Sequence, residues 1–374
     1  MKTYSIAALL LVAFSFVSCE KSEVETTKEV SETFTANYTV ISKNNNRLNT
    51  QLLGSTESSL TLKSEVSAFI ELPSNSLKYR TADRISYFST ENCTANLQIY
   101  RPSSDETVLY EVFSDLDVCD IQVTAITHTN DYVALSYIQE LAGKNFQYTV
   151  RFISLTEETP TFTEVTLDKK PVRMVSSTNR LFVLTVNEFV TDEYHMSVIN
   201  SVSNEILIEL DLGFDANSLF TNKAGEVIIG YPELHTTLNP STLVQKYTVY
   251  ADDTAPGFES SNDFFMDAAG KLFFQKTVLT AEINIVPATY DFVANNTVVY
   301  LYENFLTEAQ MNVAFDIKAT TTLGFDAANN IMLIGYEKKG TQQTGGILRV
   351  TPAPDFKLID NTDLEGIPQA IFVD

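Results

Sequence analysis

Along most of the chain, short runs in which apolar and polar positions alternate are separated by turns rich in Asp, Asn and Gly, the pattern of half-buried strands joined by hairpins. One phrase recurs: an alternating strand, a turn, then a more apolar strand. Three copies are nearly alike in chemistry, reading Asn217-Ser-Leu-Phe-Thr-Asn-Lys-Ala-Gly-Glu-Val-Ile-Ile-Gly230, Asn262-Asp-Phe-Phe-Met-Asp-Ala-Ala-Gly-Lys-Leu-Phe-Phe-Gln275 and Thr321-Thr-Leu-Gly-Phe-Asp-Ala-Ala-Asn-Asn-Ile-Met-Leu-Ile334. Weaker copies occupy 76–88 around Asp83-Arg84, 123–135 around Asn130-Asp131 and 172–184 around Asn179-Arg180. A Gly or Asn in such a turn supplies the positive φ that a tight hairpin demands.

The first apolar residue after each turn is Ile85, Tyr132, Leu181, Val227, Leu272 and Ile331, in steps of 47, 49, 46, 45 and 59 residues. A period of this length carrying several short strands marks a β-propeller blade. The long last step holds an insertion, in which Thr307-Glu-Ala-Gln310 has the capping-box spacing of one short helix. The two ends keep the register: 366–374 matches the strand before the turn, with Asp374 where Asp267 and Asp326 stand, and one period before Ile85 lies Tyr38, in the strand-like segment 33–42. The pattern therefore predicts an all-β fold, a single β-propeller of seven blades. Six are whole, starting near residues 75, 122, 171, 217, 262 and 321, and one is closed by the C-terminal strand joining N-terminal strands, which removes free edges. Two packed β-sandwiches could use similar strands but would not fix the register of the tail.

The first residues follow a different pattern. Lys2, an apolar run over 6–17 and Ser18-Cys19 form a removable signal whose core is too short to span a bilayer. Phe16-Val17-Ser18-Cys19 resembles a lipobox, with Phe16 where Leu is usual, and implies lipidation of Cys19. Acyl chains bury about 0.8 kcal/mol per methylene, so two or more anchor stably. Residues 20–32 are polar and charged without apolar periodicity, as in a disordered acidic tether. The organisation expected is a signal peptide at 1–18, lipidated Cys19 and tether at 19–32, and a propeller domain at 33–374.

Formal charge is −23, with 48 acidic against 25 basic residues. Such a field repels phosphate backbones, which excludes nucleic acid as a partner. The chain lacks Trp, so the Trp-Asp repeat signature is absent. No Gly-x-Ser-x-Gly elbow, phosphate-binding loop, dinucleotide fingerprint or Cys-x-x-Cys occurs, and His128, His195 and His235 have no close ligand spacing; they read as structural or exposed.

In a propeller, the turn after the second strand and the connection leaving the fourth lie on one face. Cys93 and Cys119 both map there, which suits a disulfide closing a 26-residue span. The same face is expected to carry Asp115, Asp117, Asp120, Asp168, Asp211, Asp215, Glu259, Asp263, Asp360 and Asp363, a negative surface around the ring's axis and a candidate binding face for cations or basic partners. Calcium is the ion such oxygen-rich loops would take, although no cluster has EF-hand order; solvated surface charge is the plainer reading, and no other cofactor is expected. Tyr231, Tyr247, Tyr290, Tyr300, Tyr302 and Tyr336 could line a groove or pack between blades.

The Ser18-Cys19-Glu20-Lys21 start and the Asp-Ala-Ala-Gly-like turns together resemble the uncharacterised β-propeller lipoproteins of Bacteroidota. The acidic start resembles their surface-export signal, and Asp253-Thr254-Ala255 resembles their O-glycan attachment motif, with Thr254 as acceptor. The resemblance implies lipid anchoring at the outer membrane, facing the cell surface, with an outer-membrane transporter as a partner. The leading expectation is a non-catalytic propeller that binds an unknown small-molecule, glycan or protein ligand, in nutrient uptake. The alternatives are a hydrolase or lyase acting on polysaccharide or peptide through axial carboxylates, and a structural or adhesion module.

Overall fold

The computed structural model describes residues 35–374 except 144, 157–159, 252, 253 and 262. The expected signal peptide, Cys19 and tether lie outside the described residues. The chain begins the first blade with β1 (Ala36–Asn44), β2 (Arg47–Ser55), β3 (Leu60–Leu62) and the short β4 (Leu72–Pro73). The second blade is β5 (Leu77–Arg80), β6 (Ile85–Glu91), β7 (Thr94–Arg101) and β8 (Glu106–Val112). The third is β9 (Ile121–His128), β10 (Tyr132–Leu141), β11 (Asn145–Ser154) and β12 (Phe162–Leu167), and the fourth β13 (Lys170–Ser177), β14 (Arg180–Val186), β15 (Glu193–Asn200) and β16 (Glu205–Phe214). The fifth holds β17 (Ser218–Thr221), β18 (Val227–Gly230), β19 (Leu234–Leu238) and β20 (Gln245–Val249); the sixth β21 (Phe264–Met266), β22 (Lys271–Thr277), β23 (Ile285–Asp291) and β24 (Asn296–Val299). After the seventh, β25 (Ile317–Asp326), β26 (Ile331–Lys338), β27 (Gly345–Thr351) and β28 (Lys357–Leu364), the last strand β29 (Ile367–Val373) returns to pair with β1.

Each sheet is antiparallel; six follow chain order from inner to outer strand, and in the first β29 lies inside β1, β2 and β3, so the molecule is a seven-bladed β-propeller. Closure has the anticipated register: Tyr38 pairs with Val373 and Lys43 with Ile367, with one bulge between Ile41 and Ser42. Beyond the pairing, the Thr39 hydroxyl donates to Asp374 Oδ2 at 2.8 Å, and the Tyr38 hydroxyl donates to Asp326 Oδ2 of the seventh blade, also at 2.8 Å.

The core lies between blades. Val40, Leu53 and Ile371 of the first blade pack against Leu333 and Ile347 of the seventh. On the opposite face of the same sheet, Ile41, Leu48 and Ala370 meet Ile85, Tyr87 and Tyr100 of the second. Because successive side chains leave a strand on opposite faces, a sheet covered on both sides needs apolar residues at consecutive positions. That accounts for the apolar runs that follow each turn. The turns themselves have the required backbone: φ is 76° at Gly225, 91° at Gly270 and 53° at Asn330. In the insertion before β25, the Thr307 N–H donates to Gln310 Oε1 at 2.8 Å and the Gln310 N–H to Thr307 Oγ1 at 3.2 Å. This reciprocal cap starts a helical segment that continues as a π-helical turn at Gln310–Ala314.

Candidate functional site

Several of the expected binding-face residues have local side-chain partners. Asp115 follows β8 and holds Arg151 of β11 in a two-pronged contact, both N···O distances 2.7 Å. Arg151 has 1% side-chain exposure; its Nε donates to Glu164 at 2.7 Å, and its guanidinium lies 4.4 Å from the Phe113 ring centre and 4.0 Å from that of Phe162. This arginine holds the Asp115 carboxyl below its ordinary pKa. Asp360 holds the fully buried Arg349 in the same way, at 2.7 and 2.6 Å. Asp117 accepts the Cys119 N–H at 3.0 Å, and the Asp120 N–H donates to the Asp117 carbonyl. Asp211 accepts the Gly213 N–H, Asp215 takes a φ of 63° after β16, and Asp363 pairs with Lys338 at 2.6 Å. Asp168 borders a shallow hollow with Lys169, Lys170 and Glu188, and Glu259 lies in the short Phe258–Ser260 helix. Asp211, Asp360 and Asp363 thus sit within strands rather than in connections. Among the described residues, no group of three or more His, Cys, Asp or Glu could hold a metal ion. Cys93 and Cys119 form a disulfide with Cα atoms 5.2 Å apart. Thr254 is exposed, and its hydroxyl donates to the Ala251 carbonyl.

Of the ten acids, Asp263 alone lines the cavity of about 470 Å³ at the ring's centre. The walls come from the innermost strands of five blades, β5, β9, β13, β17 and β21. Thr81, Ala82, Asn222, Lys223 and Asp267, from turns between first and second strands, also line it. By the alternation of strand direction, those turns lie on the opposite face from the disulfide. The sign at the axis is also the reverse of the expectation. The charged lining is Lys78, Arg80, Arg173 and Lys223 against Asp263 and Asp267.

Alternation along Leu77-Lys78-Tyr79-Arg80 explains the placement. Leu77 and Tyr79 pack into the layer between blades, which turns Lys78 and Arg80 to the axis. Arg80, with 4% side-chain exposure, crosses it. Its Nη1 donates to Asp263 Oδ2 at 3.1 Å and to the Leu323 carbonyl at 3.2 Å, and its Nη2 donates to the Ile371 carbonyl. Lys78 Nζ lies 3.2 Å from Asp263 Oδ1 and donates to the Gln369 carbonyl at 2.8 Å, while the Thr322 hydroxyl donates to Asp263 Oδ2 at 2.7 Å. One carboxylate thus joins cations of the second blade to the sixth, and the same cations bond the seventh and first blades. Burial pushes the Arg80 guanidinium below its ordinary pKa against the pull of Asp263. Arg80 Nε has no hydrogen-bond partner among the described residues.

Arg173 of β13 is placed differently. It faces water within the cavity while protein encloses it, and this desolvation lowers its pKa. No hydrogen bond or ion pair to Arg173 or Lys223 is present among the described residues. Two histidines are wedged into packing: His128, 5% exposed, lies 2.7 Å from the Ser86 hydroxyl and 3.2 Å from that of Thr81, and burial pushes it down to about 3. His235 lies 3.0 Å from the Tyr250 hydroxyl, and burial pushes it down to about 4.

Sequence reasoning missed Lys78, Arg80, Arg173 and Lys223. The available signal was a basic residue at alternate positions of a first strand, as in Leu-Lys-Tyr-Arg, combined with the blade register. Tyr290, Tyr300, Tyr302 and Tyr336 are buried packing residues, whereas Tyr247 is exposed.

No protein-family profile matches the sequence, and no curated protein matches it. Among solved structures, the chain is similar to the periplasmic gluconolactonase PpgL of Pseudomonas aeruginosa, at 9% identity and a TM-score of 0.56, over 90% of this chain and 98% of that one. It is also similar to a candidate 6-phosphogluconolactonase from Bacteroides uniformis, at 11% identity and a TM-score of 0.52, over 91% and 99% of the two chains. A puromycin-hydrolysing peptidase of Mycobacterium tuberculosis aligns at 9% identity and a TM-score of 0.47 over 86% of this chain, which spans 53% of that protein's length. For the two lactonase structures, at these identities, the likeness is one of fold alone.

Proposed function

We propose that this protein is a lipid-anchored binding propeller of the outer membrane, which holds a small ligand in its central cavity without transforming it and serves as an accessory to nutrient uptake. The observation that carries the binding reading is the cavity itself. It has the size of small-molecule sites, generally about 300–1,000 Å³, and mixes apolar walls with a few charged groups. Its buried carboxylate, Asp263, is occupied by Lys78, Arg80 and Thr322, an arrangement that suits a brace across the axis better than a general acid or base. The anchor rests on Ser18-Cys19 and the apolar run before it.

The protein with a sugar, sugar-acid and sugar-lactone mixture is examined by ligand-observed NMR. Binding without turnover gives saturation transfer to one or more components whose concentrations stay constant. Consumption of any component above a protein-free control replaces the binding reading with a hydrolase. Membrane fractionation checks the anchor: Cys19→Ala should release the protein into the soluble fraction, and retention in the membrane refutes lipidation at Cys19.

A further inference from the structure

The geometry points to a ligand class for this cavity: a small organic carboxylate, its anionic group held by Arg173 with Lys223 at the rim. This inference deepens the binding reading above and rests on it. The charge distribution is the first support. A chain of formal charge −23 places four basic and two acidic side chains around its axial cavity, so the interior opposes the sign of the whole molecule.

Internal pairing removes part of that charge and leaves the rest free. Asp263 neutralises Lys78 and Arg80 in part and ties them to neighbouring blades. Asp267 spends one carboxylate oxygen on the Lys271 N–H at 2.8 Å, which fixes its own turn. Arg173 and Lys223 remain without a hydrogen bond or ion pair among the described residues. A guanidinium held partly out of water without a counter-charge is unfavourable, and a bound anion relieves that penalty. Arg presents a planar fork that matches a carboxylate in two parallel hydrogen bonds.

The remaining lining sets the body of the ligand. Ile126, Val172, Phe264, Phe265 and Leu272 give the cavity apolar walls, which an inorganic ion leaves uncovered. The walls and the volume together favour a carboxylate on a carbon skeleton of sugar-acid or aryl-acid size. Of the two carboxylates in the wall, Asp263 is shielded by Lys78, Arg80 and Thr322 and so repels the ligand weakly.

The test uses the full-length protein in detergent and two probe pairs that differ by carboxylate against hydroxymethyl: gluconate with sorbitol, and benzoate with benzyl alcohol. Isothermal titration should show the carboxylate of at least one pair binding tenfold or more tightly than its neutral partner. Arg173→Gln should remove that advantage, whereas Lys318→Gln, which alters an exposed pair with Glu337, should leave it intact. The melting temperature of Arg173→Gln should be no lower than the parent's, because among the described residues the substitution breaks no hydrogen bond or ion pair. The inference is overturned if neither carboxylate outbinds its partner or if Arg173→Gln keeps the preference. Equal binding of a charged and a neutral probe, abolished by the cavity-filling Thr221→Trp, would sink the carboxylate class but keep the cavity as a binding site. No binding by any probe would remove both readings. Inorganic phosphate competing as well as the organic carboxylate would show that the site reads charge alone, which also overturns the assignment.

Discussion

Arginines in the seams between blades and arginine at the axis are treated in opposite ways. In the seams, Arg151 and Arg349 have 1% and 0% side-chain exposure, and each is held by at least one carboxylate. Arg151 takes Asp115 from the second blade's exit and Glu164 from its own outer strand. Arg349 takes Asp360 from its own outer strand, then Ser55 and Thr56 from the first blade at 2.6 and 2.7 Å. At the axis, Arg173 is exposed to the cavity and has no such partners among the described residues. The contrast separates two uses of one side chain: a charge surrounded by its own protein's acceptors fixes blade to blade, and a charge without acceptors is available to a ligand.

If the seams carry the stability, opening the closing seam should have the largest effect. Ending the chain at Glu365 removes β29, its ladder with β1, and the contacts of Ala370 and Ile371 on both faces of the first blade. The truncated protein should lose its cooperative unfolding transition by circular dichroism. A transition at the parent temperature would show that ring closure does not hold the fold.

Next in size is the loss of a seam arginine. Arg349→Ala strands Asp360, which has 17% side-chain exposure, and should cost about 3–5 kcal/mol, as breaking a buried pair generally does. Arg151→Ala should cost less, because Asp115 and Glu164 are more exposed, at 39% and 34%, and water takes over their solvation. Denaturant titration of the two variants compares them. Equal costs would mean that partner burial does not set the difference.

The Cys93–Cys119 bond fixes the turn between β6 and β7 to the connection that leads into the third blade. Reducing it should lower the unfolding free energy by about 3 kcal/mol on a chain-entropy basis, read from denaturation with and without reductant. A negligible change would show that the surrounding packing alone holds this exit loop.

The seams were largely legible in the sequence and the axis was not, for a physical reason. A hairpin turn and the strands beside it are contiguous in the chain, so the turn chemistry at Gly225, Gly270 and Asn330 and the apolar runs after them repeat visibly. The register of 366–374 against 33–42 followed from that repeat. The cavity, however, draws a few residues from each of five blades, and its sign depends on which of two alternating positions faces inward. Lys78, Arg80 and Arg173 are ordinary basic residues in a strand until that orientation is known. The acidic loops misled for the converse reason. Asp115 and Asp360 stand in visible local clusters, but Arg151 and Arg349, 36 and 11 residues away, claim them. A lone arginine in the apolar strands Thr149-Val-Arg-Phe-Ile153 and Ile347-Leu-Arg-Val350 was the overlooked sign of that pairing.

The smallest expected effect concerns a seam residue that is neutral. His128 lies between the second and third blades, bonded to Ser86 and Thr81, and is pushed down to about 3 by burial first and by Arg84 next, with Asp83 pulling the other way. In the unfolded chain it takes a proton near pH 6.5. The folded pKa is the lower one, so the stability that His128 contributes is fully present above about 6.5 and is lost as pH falls toward 3. Between pH 7 and 5 the loss should be on the order of 2 kcal/mol. His235, pushed down to about 4, adds a loss of the same sign, so the parent's slope belongs to both. His128→Gln retains a polar group for Ser86 and Thr81, and should be less stable at pH 7 yet lose roughly half of the parent's pH dependence. An unchanged slope in that variant would show that His128 is protonated in the folded ring, and that charge in a seam is tolerated without the acceptors that hold Arg151 and Arg349.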